Sequence, residues 1–139
     1  MIDLTKYTEF KEEMFRIGQL RYKFKPLESL IDVNKIDIIY PKRMYIDNKD
    51  INLFVFTNDY IYSILFYPEI KSVIYKKADI QKIAINLHGT SDPDYELIIT
   101  FKYGDEIRIY NVEDTNEDWR WSFSEYLLKV YKYLIDEKV

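Results

Sequence analysis

The sequence predicts an α+β fold in one domain: an N-terminal helix, about seven antiparallel strands forming a two-sheet sandwich or partly open barrel, and a closing C-terminal helix. Three observations carry this reading. Apolar residues recur at helical spacing before Gly18, at period two between residues 36 and 112, and at helical spacing again from 114 to 137. The 139 residues suit a single domain, 1–139, that buries roughly two-thirds of the surface its unfolded chain would expose.

The first helix, within residues 1–18, rests on Tyr7, Phe10, Met14 and Ile17, with Lys11, Glu12, Glu13 and Arg16 between them. Thr5 or Thr8 is placed to cap its start, and Gly18 to end it in the left-handed conformation. Leu20, Tyr22 and Phe24 alternate with basic residues ahead of Pro26, which predicts a short extended segment; Leu27 to Ile31 predicts a turn of helix. Ile36 to Tyr40 and Met44 to Ile46, interrupted by Pro41, read as a broken, edge-like strand. Ile51 to Thr57 and Tyr60 to Phe66, separated by Asn58 and Asp59, read as a hairpin, and Ile70 to Tyr75 as the next strand. Ile83, Ile85 and Leu87 alternate with polar or small residues, which predicts a strand with one face in the core. After a polar loop at Gly89 to Asp94, Leu97, Ile99 and Phe101 pair through a turn at Tyr103 to Asp105 with Ile107 and Ile109.

Asp114 or Thr115, followed by Glu117 and Asp118, supplies the cap and negative charge that suit a helix N-terminus. Behind them Trp119, Phe123, Tyr126, Leu127, Val130 and Leu134 form one core-facing stripe. Trp121, Leu128 and Ile135, spaced by sevens, fall nearly opposite that stripe and call for a cover. The N-terminal helix is the expected one, and a second copy of the chain the alternative.

Composition excludes several classes. Without cysteine there are no disulfides, thiolate metal sites or cysteine nucleophiles. No run approaches the ~20 apolar residues that span a bilayer, and the acidic residues near the start do not suit a signal peptide, so the cytoplasm is expected. A net charge of -4 with interleaved signs argues against a nucleic-acid binder, whose affinity comes from neutralising phosphates.

The cadence of strands from residue 36, the turn at Asn58 and Asp59, Asp79 and Ile80 ahead of Ile83, and the Tyr95 to Val112 hairpin followed by a helix resemble the pleckstrin-homology superfold, in particular its bacterial and GRAM-like versions. The resemblance covers residues 36 to 137. The whole chain is also similar to uncharacterised proteins of low-GC Gram-positive bacteria and their phages. Lipid-binding members of the superfold use a basic loop between the first two strands; here that loop, Asp47 to Asp50, holds only Lys49, so phosphoinositide binding is not implied. Peptide-binding members add a ligand strand to the edge of the fifth strand beside the final helix, which places that edge at Ile80 to Leu87, including Lys82.

Candidate chemistry is sparse. His88 is the only histidine, and with Asp92 or Asp94 it lacks a second nitrogen ligand for a metal site. Ser91, Ser122 and Ser124 lack a nucleophile setting. Lys76, Lys77 and Lys82 form a small basic patch of the kind that protects strand edges. The expectation is a non-catalytic interaction module for a protein or peptide, monomeric or homodimeric, without metal, cofactor, nucleic acid or inserted membrane. The expected contact residues are Trp121, Leu128, Ile135, Ile80 and Lys82. The alternatives are a lipid- or membrane-surface binder, a small enzyme with an unrecognised site, and a purely structural subunit.

Overall fold

The computed structural model describes residues 2–46, 50–88 and 91–136 and shows two antiparallel sheets flanked by helices. The first sheet holds β1 (Ile38–Lys42), β2 (Asn52–Phe56), β3 (Tyr60–Leu65) and β4 (Lys71–Lys76) in chain order. The second holds β5 (Ile80–Leu87), β6 (Tyr95–Phe101) and β7 (Glu106–Tyr110). Helices α1 (Tyr7–Arg16) and α2 (Phe24–Leu30) precede the strands, while the short α3 (Asn111–Asp114) and the long α4 (Arg120–Asp136) follow them. The sheets remain separate, with no closed barrel among the described residues.

α1 starts by a different mechanism from the sequence expectation. Neither Thr5 nor Thr8 caps it; Lys6 occupies the cap position without a side-chain bond. Instead Asp3 Oδ1 accepts from the Thr5 backbone and hydroxyl, and Glu9 Oε1 accepts from the Asp3 N–H at 2.8 Å, which ties the entry of the chain to the first turn. Gly18 does end the helix, with φ of 73°.

The segment from Leu20 is not extended. Leu20 turns the chain at φ of 59°, and the seven residues from Phe24 wind into α2. Burial of Phe24 explains the difference: its ring meets Phe10 at 6.0 Å, Tyr7 at 6.3 Å and Phe15 at 5.6 Å, so aromatic contacts across the two helices override the local alternation.

Pro41 does not break β1, because β1 lies at the sheet edge, where a missing N–H costs no ladder bond. Met44 to Ile46 form a turn, with Arg43 and Tyr45 at positive φ, and Met44 is buried. The expected loop at Asp47 to Asp50 falls mostly outside the described residues, as does the start of the Gly89 loop.

β2 is buried on both faces from Leu53 to Phe56, so its apolar run is continuous. Val55 faces the outer helices, where it shares a small hollow with Tyr7, Leu27 and Ile31. Phe56 faces the other way, toward Tyr133 of α4 at 6.0 Å. The same inner side of this sheet joins Tyr40 to Phe123 and stacks Tyr75 on Phe101 of β6 at 4.6 Å. The core is therefore layered: α1 and α2, the first sheet, then the second sheet with α4.

Asp114 does not cap α4. It is 1% exposed, and its Oδ2 accepts from the Tyr40 hydroxyl and the Tyr110 N–H, both at 2.8 Å. Lys42 Nζ lies 3.3 Å from its Oδ1, and its backbone carbonyl accepts from the Arg43 N–H at 2.7 Å. Asn116 takes over the capping: its Oδ1 accepts from Trp119 N–H in the 3-10 turn Glu117–Trp119 that leads into α4. Burial raises the Asp114 pKa, partly offset by Lys42 and the hydrogen bonds. Glu13 moves the other way, lowered by its paired bonds from Arg16 against a contribution from burial, with a further bond from Tyr45 at 2.5 Å. Glu96 is lowered chiefly by Arg108.

Two tests follow from this packing. Phe24→Ala is expected to lower the stability of the whole domain by about 3 to 5 kcal/mol in a single unfolding transition, read by denaturant melts; separate melting of the helices would contradict the layered core. The lowered Glu13 and Glu96 stabilise the fold above the ordinary glutamate value of 4.5 and lose that contribution as pH falls through their folded values, whereas the raised Asp114 has the opposite sign. Glu13→Gln is expected to flatten the acid loss of stability below that value and Asp114→Asn to steepen it, as measured by melts across pH.

Candidate functional site

Trp121, Leu128 and Ile135 are not covered by the N-terminal helix. Trp121 is 59% and Ile135 46% exposed, and Leu128 is half-buried. The reason is that α1 spends its apolar stripe on α2 and the outer face of the first sheet. The N-terminal residues do reach α4, but on its other flank: Tyr126 OH donates to the Ile2 carbonyl, and Lys129 pairs with Asp3 at 2.8 Å. Trp119 stacks on Tyr45 at 4.6 Å, and the Tyr133 hydroxyl donates to Asp37 at 2.6 Å, so both of these aromatics turn toward the first sheet.

β5 is the edge of its sheet. It pairs with β6 from Ile80 to Leu87, with a register shift between Ile80 and Lys82; apart from the Ile80 N–H, which donates to the Lys77 carbonyl, no other backbone hydrogen bond among the described residues involves it. The alternation is weaker than the sequence predicts. Ile83 and Ile85 are only half-buried and Leu87 is 59% exposed, as suits an outer strand with a neighbour, β6, on one side only. At eight residues it is the longest strand, and Lys82 is its sole charge. The other edges are better defended: β4 carries Lys71 and Lys76, β7 carries Glu106 and Arg108, and β1 carries Pro41 and Lys42.

Two contacts set the direction of α4 relative to β5. At one end Trp121 shares a pocket of about 460 Å³ with Asp92, Pro93 and Asp94 from the loop beyond β5, and His88 at the strand end donates its N–H to the Asp94 carbonyl at 2.9 Å. At the other end the Tyr133 hydroxyl is 2.8 Å from Lys77 Nζ, three residues before β5 begins. The start of the helix therefore lies toward the end of the strand, and the two elements run in opposite senses. Between these ends lie Leu128 on the helix and the half-buried isoleucines on the strand. The five sequence-predicted contact residues fall on two separate elements: Ile80 and Lys82 on the edge strand β5, and Trp121, Leu128 and Ile135 on the side of α4 turned away from its packing against β1, β6 and β7.

Sequence reasoning missed the acids around Trp121. Asp92, Asp94, Glu117 and Asp118 line the same pocket, with Arg120 as the single guanidinium. Asp94 Oδ1 and Arg120 Nε are sealed from solvent without a hydrogen-bond partner. The helix-start reading of Glu117 and Asp118 holds, but it does not reveal that the loop after β5 adds two more carboxylates. A second hollow of about 460 Å³, beside Tyr60 and Tyr62, has acids already engaged: Asp32 accepts from Asn34 N–H and Asp37 from Tyr133. Lys77 is tied to the Thr57 carbonyl at 2.9 Å, which gives this member of the basic patch a structural partner. Ser124 Oγ donates to the Trp121 carbonyl, a helix back-bond. Among the described residues no three histidine, cysteine or acidic side chains are grouped to hold a metal ion, and no helix is long and apolar enough to cross a membrane.

Fold and site together define a two-sheet α+β module with a long, nearly uncharged edge strand, β5, and an exposed apolar stripe on α4. The chain belongs to the family described as "Protein of unknown function (DUF3908)", whose model matches residues 4–125, from before α1 into α4. No curated protein matches the chain significantly.

Exposure of the helix flank has a direct consequence. Trp121→Ala and Ile135→Ala are expected to change stability by no more than about 0.5 kcal/mol each in dilute solution, the range of ordinary surface substitutions. A loss of about 2 kcal/mol or more in a melt would show that another part of the chain covers them.

Proposed function

We propose that the chain is a non-catalytic interaction module that accepts an extended segment of a protein along β5, in a bacterial or phage setting. The observation that supports this most is the nearly uncharged edge of β5, on whose outer side no strand pairs among the described residues. An added strand would gain main-chain hydrogen bonds from the edge, while Leu87, Leu128 and Trp121 would receive its side chains. The likeness of the strand order to pleckstrin-homology-like folds supports the same mode, since peptide-binding members of that superfold use the corresponding edge.

Selection from a randomised peptide library, followed by hydrogen-exchange mapping, tests the reading. Selected peptides are expected to protect β5 amides and to lose binding about tenfold or more in Leu87→Asp, whose side chain is exposed and leaves the fold intact. Protection confined to other elements, with Leu87→Asp binding as well as the wild type, would contradict it.

A further inference from the structure

The edge of β5 has opposite charge at its two ends. Before its start lie Lys76, exposed at the end of β4, and Asp79, whose charge is met by Lys102 at 3.9 Å; near the start of the strand itself lies exposed Lys82. Beyond its end lie Asp92, Asp94, Glu117 and Asp118 around Trp121, countered within that pocket only by Arg120. Two copies of one strand paired antiparallel about a twofold axis place the start of each against the end of the other.

We infer that the occupant of the β5 edge is a second copy of this chain, paired β5 to β5 so that each copy's Lys76 and Lys82 approach the other's acidic pocket. The inference rests on the reading of β5 as a pairing edge and names its partner. Four features converge on it. The edge is long and almost uncharged, the condition that calls for pairing or cover. Antiparallel pairing joins the two three-stranded sheets into one continuous six-stranded sheet. It sets the exposed Leu87 at the end of each β5 against the start of the other copy's strand and out of water. The twofold axis satisfies both charged ends at once, which a partner lacking this polarity would not do.

Sedimentation equilibrium on the full chain, with substitutions confined to exposed residues, tests it. The wild type is expected to be a dimer at about 100 µM, weakened as salt is raised to about 1 M, where the Debye length is only ~3 Å. Lys76→Glu with Lys82→Glu sets acid against acid, and Asp92→Lys with Asp118→Lys sets base against base. Each doubly reversed chain alone is expected to dissociate at least about tenfold more readily. Mixing the two restores attraction at both ends, so an equimolar mixture is expected to dimerise as heterodimers. A wild-type chain that stays monomeric at about 100 µM, or a mixture that gains nothing over its components, overturns the inference. Library peptides that still protect β5 in such a monomer leave the module reading standing, and their absence removes both.

Discussion

The rest of the structure depends on the buried carboxylate of Asp114. One side chain receives the Tyr40 hydroxyl and Lys42 from β1 and the Tyr110 amide from β7, while its carbonyl holds the Arg43 amide at the β1–β2 turn. Among the described residues the two sheets share no strand-to-strand ladder, so this cluster and the Tyr75–Phe101 stack join them, while Tyr40–Phe123 ties the first sheet to α4. Taking a carboxylate out of water is costly, and the cost is partly offset here by a hydroxyl, an amide and an ammonium gathered around it. Placement of α4 follows, since α3 ends at Asp114 and the chain then turns through Asn116 into the long helix.

Much of this was legible in the sequence because it depends on local period. Each of the seven strands overlaps an apolar run, and the turn at Asn58 and Asp59 joins β2 to β3 as expected. α4 was readable from Phe123, Leu127 and Val130, all fully buried. What local period could not convey was which layer covers which face. Asp114 looks like a helix cap when only its neighbours are considered, and its partner Tyr40 stands 74 positions away, with Lys42 on the same strand. Phe24 looks like part of an alternating segment until three aromatic rings of α1 surround it.

The candidate site was half legible for the same reason. Trp121, Leu128 and Ile135 announce an unpartnered flank by spacing alone, but spacing cannot say that α1 is already committed to α2 and the first sheet. Nor can it bring Asp92 and Asp94 beside Glu117 and Asp118, because that meeting is set by the return of α4 past the end of β5. The outcome is a molecule whose interior is closed by long-range polar and aromatic contacts, while its longest edge strand, β5, carries a single charge.

That open edge is the central claim, and native-state amide exchange on the dilute full chain measures it most directly. β2 and β6 amides are expected to exchange only with global unfolding, since β2 is covered on both faces and β6 is paired on both sides. β5 is expected to alternate, with amides bonded to β6 protected and the intervening, outward-pointing amides exchanging far faster. Uniform protection along β5, equal to that of β6 at high dilution, would show that the edge is already occupied within the chain and would contradict the claim.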